Sequence, residues 1–229
     1  MATILAVESG GSHCSVCLWQ SGSLAIQMQE TTQGAVGSII PLIELLLCEA
    51  KISLKQLDQI AVSVGPGSYT GLRIGLAAAQ GLGFSLGIPV FGVCSFLALA
   101  SAAATEMSDN RAILVLLDGK RQDVFARFYT HQAKPLTPPL VIMPEEIETL
   151  IGHKTAIIIG DGTAKTPDRI SSLINNSYQP HARYVAQLAA YQLQQKQPGL
   201  DAIPIYLKTP DVSEAKKLFW SLPDDHSSS

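Results

Sequence analysis

Val64-Gly65-Pro66-Gly67-Ser68-Tyr69-Thr70-Gly71-Leu72-Arg73-Ile74-Gly75 joins a short apolar run, 59–64, to a long apolar segment that continues to Leu86. A glycine-rich loop between a strand and a helix N-terminus can hold an anion on free backbone N–H groups. Two familiar phosphate fingerprints are absent. Thr70 stands where GxGxxG needs its third glycine, and no Gly-Lys-Ser/Thr follows. The loop Gly65, Pro66, Gly67, Ser68, Tyr69, Thr70 therefore reads first as a tight turn, and the helix is expected over 71–86. Along that helix Gly71, Gly75, Ala79, Gly83 and Gly87 recur every fourth residue. Glycine inside a helix costs roughly 1 kcal/mol relative to alanine, so the row implies a close contact. That contact is either the chain's own sheet or another molecule, and the scarcity of charge around it favours a partner.

Working outward, 4–8, 13–20 and 24–30 read as three strands joined by the turns Ser9-Gly10-Gly11-Ser12 and Ser21-Gly22. Apolar residues from Val36 to Ala50 keep helical spacing. A strand at 88–93 and a helix capped by Ser95 and running through Ala104 complete a βββαβαβα order. Three hairpin-linked strands entering a parallel α/β segment is the ribonuclease-H-like plan. A shorter echo follows: strands at 112–117, 124–129, 140–143 and 156–159, helices at 145–151, 168–175 and 183–195, and a last strand near 203–208. The sequence predicts two tandem α/β lobes, 1–105 and 106–223, with a disordered tail at 224–229.

Charge is distributed unevenly. The 229 residues carry 35 charges, a net of -3 and 47% apolar residues, but 1–105 hold only eight of the charges. The acidic balance argues against free-standing nucleic-acid binding, and the apolar content against disorder. The 32 uncharged residues after Arg73 are broken by Gly87-Ile88-Pro89 and are rich in Ala and Gly, so no membrane span is expected. With no basic, apolar leader at the start, the chain reads as cytoplasmic. Cys14 and Cys17 fall on opposite faces of one strand and make no chelating or redox pair. The histidines His13, His131, His153, His181 and His226 lack metal-ligand spacing, so no metal is expected. No catalytic residue is assigned: Ser9, Ser12 and Ser68 have no base nearby in sequence. Lys120, Arg121, Arg127, Lys208 and Lys216-Lys217 are the basic clusters. They read as phosphate contacts or as solvated turns.

The stretch 60–75, continued by Ala79-Gln80-Gly81-Leu82, Ile88-Pro89-Val90 and Gly92-Val93-Cys94-Ser95-Phe96, resembles the TsaB (YeaZ) family of bacterial tRNA threonylcarbamoyladenosine synthesis. Looser matches are 117–125 and 204–208. The chain departs at Glu8-Ser9-Gly10, where the family usually has Asp-Thr-Ser. The resemblance implies two actin-like lobes and a scaffold role without catalysis. It implies binding of the catalytic paralogue TsaD through the N-terminal helices, here Ile39, Ile43, Gly71, Arg73, Gly75, Ala79 and Gly83. A TsaE-like ATPase as further partner, a homodimer in isolation, and tRNA met only through the complex also follow from it. No cofactor of the chain's own is implied, with ATP or ADP at the partner boundary left open. The alternative is a stand-alone actin-like ATPase or kinase gripping phosphate with Glu8, Gly10, Gly11 and Ser12. A protease is the third reading. Outside the ATPase alternative, Glu8 is expected to face solvent or a partner.

Overall fold

In the computed structural model, which describes residues 2–20, 22–30, 39–108, 110–152 and 155–208, β1 (Ile4–Glu8) shows how the chain is layered. Successive strand residues point to opposite faces. Leu5 and Val7 enter one core with Ile39, Ile43, Leu46, Leu76 and Ala79. Ile4 and Ala6 enter another with Phe96, Leu99, Val185 and Ala186. β1 pairs antiparallel with β2 (Cys14–Gln20), which pairs antiparallel with β3 (Ser23–Glu30). On its other side β1 pairs in parallel with β4 (Gln59–Gly65), and β4 in parallel with β5 (Val90–Cys94). The sheet order is β3-β2-β1-β4-β5. Helices α1 (Ile39–Ala50) and α2 (Tyr69–Leu86) cover one face.

The second sheet repeats the plan with one strand fewer, in the order β8-β7-β6-β9. β6 (Ala112–Asp118), β7 (Val124–Tyr129) and β8 (Leu140–Ile142) run antiparallel, and β9 (Ala156–Ile159) lies parallel to β6. Its outer face packs on α4 (Ile147–Ile151). Its inner face shares a core with the first sheet through α3 (Ser95–Glu106) and α5 (Ala182–Gln194). These two helices form a layer between the sheets. That position explains the alanines of α3: Ala98, Ala100, Ala102 and Ala103 are all buried, because larger side chains would hold the sheets apart. Although it follows the second sheet in the chain, α5 lies against β1 and β2. Cys14 and Cys17 belong to opposite cores, as the strand alternation requires.

Several elements differ from expectation. α3 begins at Ser95 itself, with Cys94 at the cap position, and the Ser95 hydroxyl is buried without a partner among the described residues. Residues 168–173 form a 3-10 helix rather than an α-helix. The strand expected near 203–208 is a strap instead. Leu200 bridges Gly92 of β5, and the Ile205 N–H donates to the Val64 carbonyl at 2.7 Å, so this segment edges the first sheet. Val36, the tail 224–229, Lys216 and Lys217 lie outside the described residues.

Candidate functional site

The opening loop closes against the first hairpin. Gly65 sits at φ +98°, a backbone conformation that favours glycine. A Cβ on Gly67 would lie 2.5 Å from the Gly10 carbonyl oxygen. The Ser68 N–H donates to that carbonyl at 2.7 Å. The Ser68 hydroxyl accepts from Gly71 N at 3.2 Å and caps α2, which starts at Tyr69 rather than Gly71. The Ser68 and Gly71 N–H groups, two of the donors that could have faced an anion, are thus engaged within the chain.

The glycine stripe is spent in the same way. A Cβ at Gly71 would meet the Ser9 carbonyl at 2.0 Å, one at Gly75 the Ser9 hydroxyl at 2.1 Å, and one at Gly83 the Val90 side chain at 2.2 Å. Ala79 is fully buried. The close contact implied by the spacing is therefore with β1, its turn and β5, and the partner-facing reading of Gly71, Gly75, Ala79 and Gly83 is corrected. Ile39 and Ile43 are likewise 2% exposed, on the inner face of α1. Of the expected interface residues only Arg73 is exposed, and it is engaged. Its guanidinium lies 3.9 Å from the Tyr69 ring centroid, and its Nε donates to the Tyr206 hydroxyl at 2.8 Å. What α1 and α2 present outward was missed in the sequence: Ile40 and Leu45 on one, Ile74, Ala77 and Phe84 on the other. Phe84 is 92% exposed. The signal was available, since Ile74, Ala77, Gly81 and Phe84 form a second row beside the glycine row.

The turn that could grip phosphate is filled by the chain's own groups. Glu8 is 2% exposed, so the expectation of a solvent- or partner-facing carboxylate fails: its parity with Ile4 and Ala6 points it into the layer between the sheets. Its Oε1 accepts from Gly10 N at 2.6 Å. Burial pushes its carboxyl up to about 7, against the pull of the Gly10 N–H and the neighbouring Ser63. A Cβ on Gly11 would meet Pro180 at 2.8 Å. The Ser12 hydroxyl donates to Asp161 Oδ2 at 3.1 Å, and the Lys120 ammonium reaches Ser12 at 3.2 Å and Asp161 at 3.4 Å. Lys165 holds Asp118 at 2.5 Å, and Lys208 holds Asp123 at 3.1 Å. Arg127 Nε donates to the Thr137 carbonyl at 3.0 Å. Lys120, Arg127 and Lys208 are therefore committed within the chain.

No group of three or more His, Cys, Asp or Glu side chains able to hold a metal occurs among the described residues. The Ser9 hydroxyl donates to the Gly71 carbonyl at 2.9 Å, and His181 Nδ1 accepts from Arg183 N at 3.1 Å. Burial draws the His181 imidazole down to about 4. Ser9, Ser12 and Ser68 each serve the loop architecture. No helix among the described residues is long and apolar enough to cross a membrane.

Comparison with known proteins places this architecture. The family model for TsaD, tRNA N6-adenosine threonylcarbamoyltransferase, matches residues 30–213. The chain is 32% identical to the tRNA threonylcarbamoyladenosine biosynthesis protein TsaB of Buchnera aphidicola subsp. Schizaphis graminum, over 71% of this chain and 80% of that one. It is 27% identical to the Haemophilus influenzae protein of the same name, over 90% and 93%. The solved structure of YeaZ from Pseudomonas aeruginosa superposes with a TM-score of 0.73 at 27% identity, covering 90% of this chain and all of that one. With its two ribonuclease-H-like sheets and its Gly-Pro-Gly loop locked on the first hairpin, the chain belongs to the TsaB (YeaZ) family.

Proposed function

We propose that this protein takes part in tRNA threonylcarbamoyladenosine biosynthesis as a non-catalytic subunit. It binds a TsaD-like catalytic paralogue through the outward face of α1 and α2, and the paralogue carries out threonylcarbamoyl transfer to the anticodon-adjacent adenosine. The observation that carries the binding surface is Phe84, 92% exposed on a helix whose opposite face is fully packed. A phenylalanine left in water forgoes roughly 2–3 kcal/mol of burial, and aromatic anchors of this kind are typical interface hot spots. In isolation the same face serves a second copy of the chain. A TsaE-like ATPase joins the assembly, and tRNA is met only through it. This reading gives the chain no cofactor of its own, which the filled turn at Glu8, Gly10, Gly11 and Ser12 supports; any ATP or ADP sits at the partner boundary. Depleting the protein in its native cells and measuring the modified nucleoside in hydrolysed tRNA by mass spectrometry tests the role. The content is expected to fall severalfold. An unchanged content contradicts the assignment.

A further inference from the structure

On the side of α3 and α5 where they meet the end of β2 and the loop after β7 lies a hollow of about 540 Å3, within the size range of small-molecule sites. It is far from the α1–α2 face in the layering and plays no part in the subunit role above. Alanines create the space: Ala98, Ala102 and Ala190 line it and are themselves buried. Trp19 and Tyr191 supply aromatic rings, and the amides of Gln132, Gln187 and Gln194, with the hydroxyls of Ser101 and Thr105, supply its polar groups. No Asp, Glu, Lys, Arg or His lines it among the described residues. Those three amides enter no side-chain hydrogen bond among the described residues.

This lining restricts the ligand by exclusion. An ion would lose hydration with no opposite charge to replace it. A hydrocarbon laid over the half-buried Gln187 would leave its amide without a partner, while Gln132 and Gln194 are exposed to water. An amide offers a donor and an acceptor side by side, the pattern that pairs with the edge of a nucleobase, and the rings offer stacking surfaces for its face. Without a lysine or arginine in the lining, a strand's phosphates would find no counter-charge. We propose that the hollow binds an uncharged planar heterocycle of the nucleobase class, presented as a free nucleoside.

The test uses the full chain with Trp220→Phe, which leaves Trp19 as the sole tryptophan, and follows its emission while adenosine is added. Saturable quenching with a Kd below about 1 mM is expected, with adenosine 5′-monophosphate binding no more tightly. Ser101→Leu, which puts bulk into the hollow from α3, and Gln187→Leu, which removes one amide, should each weaken binding roughly tenfold or more while circular dichroism stays unchanged. Absence of saturable quenching would overturn the proposal. So would wild-type affinity in both variants, or tenfold tighter binding of the monophosphate, which would reveal a cation site instead.

Discussion

Glu8 is a carboxyl held where its charged form is disfavoured. A carboxyl raised from the ordinary 4.5 to about 7 by burial binds its proton more tightly folded than unfolded. Its contribution is complete below pH 4.5 and is lost as pH rises to 7. Glu8→Gln keeps an acceptor for the Gly10 N–H and removes that loss. The variant should be more stable than wild type at pH 8, by a margin on the order of 3 kcal/mol at most, and equal to it near pH 4. Urea unfolding at the two pH values measures the difference. Equal pH dependence in both proteins would place the carboxylate in water after all. The sequence could not show this burial, because Glu8 ends a short strand before a polar turn, where a carboxylate ordinarily meets solvent. Asp161 and Pro180, more than 150 positions from Glu8, come up against Gly11 beside it, an approach that no local pattern announces.

Among elements, α2 was the most legible and the most misread. Its existence and its end at Leu86 were read correctly, its start two residues late, and its four-residue row of small side chains correctly required a close approach. The direction of that approach did not follow. A helix with apolar residues on both faces carries no label for which face meets its own sheet, and only the Cβ distances to Ser9 and Val90 decide it. The strap at 199–208 was misread for a related reason. Pro204-Ile205-Tyr206-Leu207 has strand composition, but only isolated backbone bonds tie the segment to β4 and β5, beside Gln80 Nε2 donating to the Ala202 carbonyl at 2.7 Å. Arg73, stacked on Tyr69 and bonded to Tyr206, pins its end. Arg73→Ala should therefore speed hydrogen exchange at the Ile205 amide while shifting Tm by less than about 3 °C. Unchanged exchange would show that the strap holds without the arginine.

At the scale of the whole molecule, the scarcity of charge in the first 105 residues has two origins. Part of it is internal: α3 lies between two sheets and has little room for charge or bulk. The ribonuclease-H-like order of the first half could be read from the strand and turn pattern. The sandwiching of α3 and α5 could not, since it depends on α5 returning across the chain to β1 and β2. The other part lies outside, on α1 and α2, where Ile40, Leu45, Ile74 and Phe84 remain in water. On the function proposed above, the stripe holds the fold while this outer face holds a partner. Binding of the TsaD-like subunit to Phe84→Asp and Gly75→Leu, each with its Tm, tests it most directly. Phe84→Asp is expected to keep the wild-type Tm and lose affinity by about a hundredfold, whereas Gly75→Leu is expected to lose Tm by driving a side chain into Ser9. Wild-type affinity in Phe84→Asp, or a stable Gly75→Leu that fails only to bind, would contradict it.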